Sequence, residues 1–138
     1  MEGIKLESLP ELKGSVEQIT WANDIRNRVV EKINQQISPD KLSQEQDGIE
    51  HERACGYVET ICHHFSIRMS QEFLARYEKA EQEYDIRRAE VSRGEKHYFT
   101  KIHRIRDSIF DRMYYEMAQE VIPMCTDAWF WIEWLKQA

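Results

Sequence analysis

Phe73-Leu-Ala-Arg-Tyr-Glu-Lys-Ala-Glu-Gln-Glu-Tyr-Asp-Ile-Arg-Arg-Ala-Glu-Val-Ser-Arg-Gly-Glu-Lys-His-Tyr-Phe-Thr-Lys-Ile102 reads as one helix folded back on another. Before the glycine, Phe73, Tyr77, Ala80, Tyr84 and Val91 recur at helical spacing as a narrow, aromatic-rich stripe. Beyond it runs a second stripe, Ile102, Ile105, Ile109, Met113, Met117 and Val121, flanked by Phe110 and Tyr114. A reversal at Gly94 sets Val91 against Tyr98, Tyr84 against Ile105, and Tyr77 against Phe110 or Met113. Both stripes then gain cover, so the spacing predicts an antiparallel two-helix hairpin over 70–120. Gly94 follows Arg93 where a helix C′ glycine is expected.

The same reading extends to both ends. Ser43-Gln-Glu-Gln46 has the form of a capping box, and no proline interrupts the chain from there to Val91. Ile49, Tyr57, Val58, Ile61, Cys62, Phe65 and Met69 continue the helical stripe, so one long helix is expected over 43–93, with Gly56 as its kink. Ser15-Val-Glu-Gln18 is a second capping box and opens a first helix over 15–37, ended by Ser38-Pro39. The return helix spans 95–122 and stops at Pro123, and Thr126-Asp127 caps a terminal helix over 126–137. Residues 1–14 read as an irregular lead-in pinned by Leu6, Leu9 and Leu12. The expected fold is all-α: a single helical domain over 1–138, with a long antiparallel hairpin arm and a short Trp-rich C-terminal helix. Trp21 and the cluster Trp129, Trp131 and Trp134 are expected to form an aromatic core that joins the two ends.

Composition narrows the function. Only 5 Gly and 3 Pro in 138 residues favour long helices over a sheet. Aromatics at 11% are too many for a disordered chain, although charged residues reach 32%. No apolar run approaches the ~20 residues that span a bilayer, and the N-terminus carries no basic and apolar leader. With three cysteines (Cys55, Cys62, Cys125), this points to a cytoplasmic protein with reduced thiols and no membrane contact.

No Gly-x-Ser-x-Gly, phosphate-cradling glycine loop or His-Glu-x-x-His is present, so the expectation is a protein that is not an enzyme. Cys62-His63 are adjacent and point ~100° apart on a helix, which makes them poor nucleophile and base partners. Glu81, Asp85, Asp107 and Asp111 can approach across the hairpin, but such acids more often form ion pairs with Arg88, Arg104 or Arg112 on a solvated face. No cofactor is required. The one local pair with metal-ligand spacing is His51-x-x-x-Cys55, one helical turn apart, which fits zinc. Cys62 lies ~10 Å further along the helix, too far to share the ion. His63 and His64 also lie downstream with Cys62, and a break at Gly56, or a ligand from elsewhere such as Cys125 or His97, would be required to complete the site. Buried-thiol packing is the plain alternative for Cys55 and Cys62.

Charge is segregated. Net charge is −6. Yet 85–106 holds seven Arg and Lys (Arg87, Arg88, Arg93, Lys96, Lys101, Arg104, Arg106) against Asp85, Glu90 and Glu95. That window is +4, so the remainder is −10. His97, Tyr98, Phe99 and His103 interleave with these cations. Arg87, Arg88, Arg93, Lys96, Tyr98, Lys101 and Arg104 are therefore the candidate partner-binding residues, for an acidic protein surface or for nucleic acid.

Leu9-Pro-Glu-Leu-Lys-Gly-Ser-Val-Glu-Gln-Ile-Thr-Trp-Ala-Asn-Asp-Ile-Arg26 resembles a segment near the start of small uncharacterised bacterial, phage and plasmid proteins, roughly Leu-x-Gly-Ser-x-x-Gln-x-x-Trp-Ala-x-x-Ile-Arg. Thr126-Asp-Ala-Trp-Phe-Trp-Ile132 resembles their C-terminal Thr-x-Ala-x-x-Trp-Ile. The resemblance implies a setting among accessory genes of mobile elements and carries no activity with it. The expected function is a non-enzymatic protein-interaction module, in concrete form an inhibitor of a host defence nuclease of the anti-CRISPR kind. The alternatives are a nucleic-acid-binding accessory protein using the basic tip, and a small zinc-stabilised regulator. The sequence does not fix an oligomeric state.

Overall fold

The computed structural model describes residues 3–39 and 48–138. The fold is an all-α bundle: α1 (Val16–Gln36), α2 (Gly48–Phe65), α3 (Ile67–Ala89), α4 (Tyr98–Val121) and α5 (Ala128–Leu135). Among the described residues there is no β-strand, only an isolated parallel bridge between Lys13 and Asp127. The Ser43–Gln46 capping box lies outside the described residues.

At the N-terminus the capping box forms as read, but of the three leucines only Leu12 is buried, and Leu6 is exposed in a short 3-10 helix, Leu6–Ser8. Ser15 caps α1 by accepting from the Gln18 amide, and the Gln18 side chain accepts from the Ser15 amide. Ala22, Ile25, Val29, Val30 and Ile33 form its buried stripe. The lead-in runs back along this helix: Asn34 both accepts from the Ile4 amide and donates to the Ile4 carbonyl, at 2.8 and 2.9 Å. Further on, the Lys13 amide donates to the Thr126 carbonyl and the Ala128 amide to the Lys13 carbonyl. Gly14, at φ +154°, sits where any Cβ would come within 3.1 Å of the Ala128 Cβ. Arg26 is buried and donates to the Pro10 carbonyl at 2.8 Å; burial lowers its pKa. The two terminal segments singled out in the sequence are thus one structural unit, with α1 packed along α5.

The single helix expected over 43–93 is two helices. Gly56 lies inside an uninterrupted α2, and the break falls at Ser66. Ser66 is extended (φ −164°, ψ 159°), and its hydroxyl accepts from the Met69 amide at 3.0 Å. A serine hydroxyl offers an exposed amide an alternative to the helical bond, which is what a new N-terminus needs. The break lets α2 pack on α1, α4 and α5 while α3 pairs with α4.

The hairpin forms close to the expected register. Tyr77 packs on Phe110 with ring centroids 5.2 Å apart, and Phe73 packs edge-on against Tyr114 at 5.6 Å. Arg76 joins the helices through a two-pronged ion pair with Glu120, which raises its pKa, and Arg112 reaches Glu83 at 3.3 Å. The turn differs from expectation. α3 ends at Ala89, Gly94 is not left-handed, and the left-handed residue is His97 (φ 62°), which caps α4. The apolar core draws on the C-terminal half of α4, from Ile109 to Val121. No residue from Tyr98 to Ser108, or from Glu81 to Ala89, is buried. The seven residues of α4 from Tyr98 to Arg104 therefore extend ~10 Å beyond the core as an arm, while Ile105 packs against the edge of the core.

Burial corrects the tryptophan core. Trp131 is fully buried, but Trp21, Trp129 and Trp134 are 48%, 50% and 42% exposed. An eight-residue helix on a bundle turns only one face inward, and Ala128, Trp131, Ile132 and Leu135 occupy it. Trp129 falls on the outer side. Trp134 stacks flat on His64, with centroids 3.6 Å apart and planes 9° from parallel.

Candidate functional site

Two places concentrate chemistry. The first lies between α2 and α4. The one-turn spacing on α2 puts His51 and Cys55 side by side, and Asp111 faces them from α4. Imidazole, thiol and carboxylate ligand atoms all lie within 4.8 Å of one another. His51 Nε2–H donates to Asp111 Oδ1 at 2.7 Å. Asp111 is only 5% exposed, on a stretch of α4 otherwise lined by Phe110, Met113, Tyr114 and Tyr115. One turn beyond Cys55, Glu59 accepts a hydrogen bond from the buried Tyr114 hydroxyl. Burial foremost, and then Glu59, push the Tyr114 pKa upward. A cavity of about 350 Å³ opens beside the cluster, lined also by Glu52, Tyr77 and Arg106.

The expected pair His51 and Cys55 is thus brought together, and it gains a partner that the sequence did not reveal. Cys125 and His97, named as further ligands, are elsewhere: Cys125 is buried in the turn that follows α4 and bonds the Val121 carbonyl, and His97 is at the hairpin turn. Cys62 is buried. His63 and His64 sit at the far end of α2, about 18 Å along the axis from His51. The signal for Asp111 was present: an acid between Phe110 and Tyr114 on a buried face needs a partner. Its partner is sixty residues away in sequence, beyond the reach of a spacing rule.

The second place is the hairpin tip. Arg87, Arg88, Arg93, Lys96, Lys101 and Arg104 are all exposed, and Tyr98 is half-buried against Phe99. Arg88 pairs with Asp85 at 3.4 Å, and Lys101 pairs with Glu95. Arg87, Arg93, Lys96 and Arg104 form no ion pair with the described residues. Phe99 is 76% exposed among them. The Arg106 guanidinium lies over Phe110 at 4.5 Å, so this cation is held back against the arm. Of the hairpin carboxylates, Asp85 meets Arg88, Glu83 meets Arg112, and Asp107 and Asp111 line the cavity beside α2.

No family model matches the chain, and neither curated proteins nor solved structures give a match. Among the described residues no helix is long and apolar enough to cross a membrane.

Proposed function

We propose that this chain is a non-enzymatic interaction module that docks a protein partner through the tip of the α3–α4 hairpin. The observation that carries the reading is the set Arg87, Arg93, Lys96 and Arg104: four exposed cations with no ion pair among the described residues, on an arm that stands clear of the core. An isolated hairpin gains little stability from such charges, since exposed ion pairs contribute only ~0–1 kcal/mol. Cations left uncompensated are available to steer and hold an anionic surface. Phe99, exposed at the centre of the patch, supplies the apolar anchor that a charge patch alone lacks. The setting in a mobile element, and the narrower form of a nuclease inhibitor, rest on the resemblance at the two ends and on the −10 charge outside the tip.

A second reading has its own support. Phe99 packed edge-on against Tyr98 among unpaired cations also suits stacking on the bases of a single strand. Titration with mixed-sequence single-stranded DNA and RNA across a salt series separates the two. Salt-dependent binding that disappears in the Arg87, Arg93, Lys96 and Arg104→Glu variant favours nucleic acid. Its absence, with partner capture lost in the same variant, favours a protein.

A further inference from the structure

We propose that His51, Cys55 and Asp111 form a binding site for a zinc-class divalent ion that ties α2 to α4. The proposal is independent of the hairpin tip and of what docks there. It rests on three residues of different ligand chemistry, contributed by two helices that are far apart in sequence.

The geometry is close to what the ion requires. Ligand atoms at about 2.0–2.3 Å from a tetrahedral ion stand roughly 3.3–3.7 Å apart. The widest separation in the cluster is at most 4.8 Å, so closure needs ligand-atom shifts of about 1 Å. His51 and Cys55 are held by one turn of a continuous helix, and Asp111 is fixed in the packed half of α4. In the metal-free arrangement the His51 Nε2 proton bridges to Asp111 Oδ1. On binding, the Cys55 thiol proton passes to solvent, the imidazole carries its one proton on Nδ1, and the ion is bound by Nε2, Sγ and the Asp111 carboxylate.

The donor set selects the metal. Thiolate with imidazole and one carboxylate suits zinc and its late first-row neighbours, and it disfavours magnesium and calcium, which take oxygen ligands. Three protein ligands leave one tetrahedral position, and the adjoining cavity of about 350 Å³ has room for water there. The Glu59 carboxylate, one turn along α2 from Cys55, accepts from the Tyr114 hydroxyl and lines the same cavity.

Cobalt(II) serves as the probe, because its thiolate charge-transfer and tetrahedral visible bands report the ligand set directly. Purified protein stripped with chelator is titrated with cobalt and then with zinc. The expected result is one equivalent of cobalt with a thiolate band, displaced by zinc. Cys55→Ser, at a half-buried position, should abolish the thiolate band, and Asp111→Asn should weaken binding by more than about 100-fold, since even residues that only support metal ligands change affinity by 10–100-fold. Asparagine keeps the shape of the buried side chain, and circular dichroism of each variant checks the fold. Thiol labelling gives a readout free of cobalt. Cys62 and Cys125 are buried and Cys55 is half-buried, so a thiol reagent should modify Cys55 first in stripped protein, and zinc should protect it. Failure of the wild-type protein to bind cobalt, or a thiolate band that survives Cys55→Ser, overturns the proposal.

Discussion

The indole Nε1–H of Trp131 donates to the backbone carbonyl of Cys125 at 2.9 Å, inside the core. That bond joins the inward face of α5 to the turn that follows α4, at the point where the chain reverses to meet α1. It also satisfies a buried carbonyl that no helix serves. Trp131→Ala should therefore cost ~3–5 kcal/mol, and Trp131→Phe about 1–3 kcal/mol for the orphaned carbonyl. Trp21→Ala, at a half-exposed site, should cost about 1 kcal/mol or less. Chemical denaturation of the three variants checks the order. Equal losses for Trp21→Ala and Trp131→Ala would contradict it.

The glycines give a second contrast. Gly56 lies inside α2 with open space where a Cβ would stand, so Gly56→Ala should stabilise the protein by about 0.5–1 kcal/mol. Gly14 has φ +154° and faces Ala128, so Gly14→Ala should destabilise by about 1–3 kcal/mol and loosen the seat of α5. Thermal melts of both variants decide the matter, and a stabilising Gly14→Ala would show that the lead-in is not pinned there.

The His64–Trp134 stack predicts a pH dependence. Partial desolvation of the exposed His64, whose ring stacks on the indole, and then the neighbouring His63, lower its pKa below the ordinary value of 6.5. The unfolded chain then takes up the proton first as pH falls. The contribution of His64 is complete above pH 6.5 and is lost as pH drops through the lower, folded-state pKa. The wild-type melting temperature should fall more between about pH 7.5 and pH 5 than that of His64→Gln. Identical pH profiles would argue that the stack does not discriminate between protonation states.

The sequence made some of this legible for identifiable reasons. Tyr77 meets Phe110 as the stripes required, because aromatic residues at helical spacing on both sides of a breaker leave few registers that bury them. The capping box at Ser15 and Gln18 was readable because both partners lie within one helical turn. Ser66 was not readable as a helix start, since a lone serine between apolar residues lacks the acidic or amide partner of a capping box. The exposure of Trp21, Trp129 and Trp134 was hidden because tryptophan content gives bulk without direction. Two of the three residues of the proposed metal site were visible as His51 and Cys55. Asp111 was not, because it looked like one more acid in a charged segment.

The hairpin tip is tested most directly by site-specific photo-cross-linking from position 99. A benzophenone amino acid replaces Phe99, and the protein is irradiated in cells that make it, beside a second protein that also carries Arg87, Arg93, Lys96 and Arg104→Glu. The folded state of both is confirmed by their melting temperatures, which should agree because the altered charges are exposed. The account predicts one dominant cross-linked protein species from position 99 and its loss in the charge-reversed form. Cross-linking of equal yield in both forms, or none from position 99 while the same probe at the exposed Glu133 of α5 finds a partner, would contradict it.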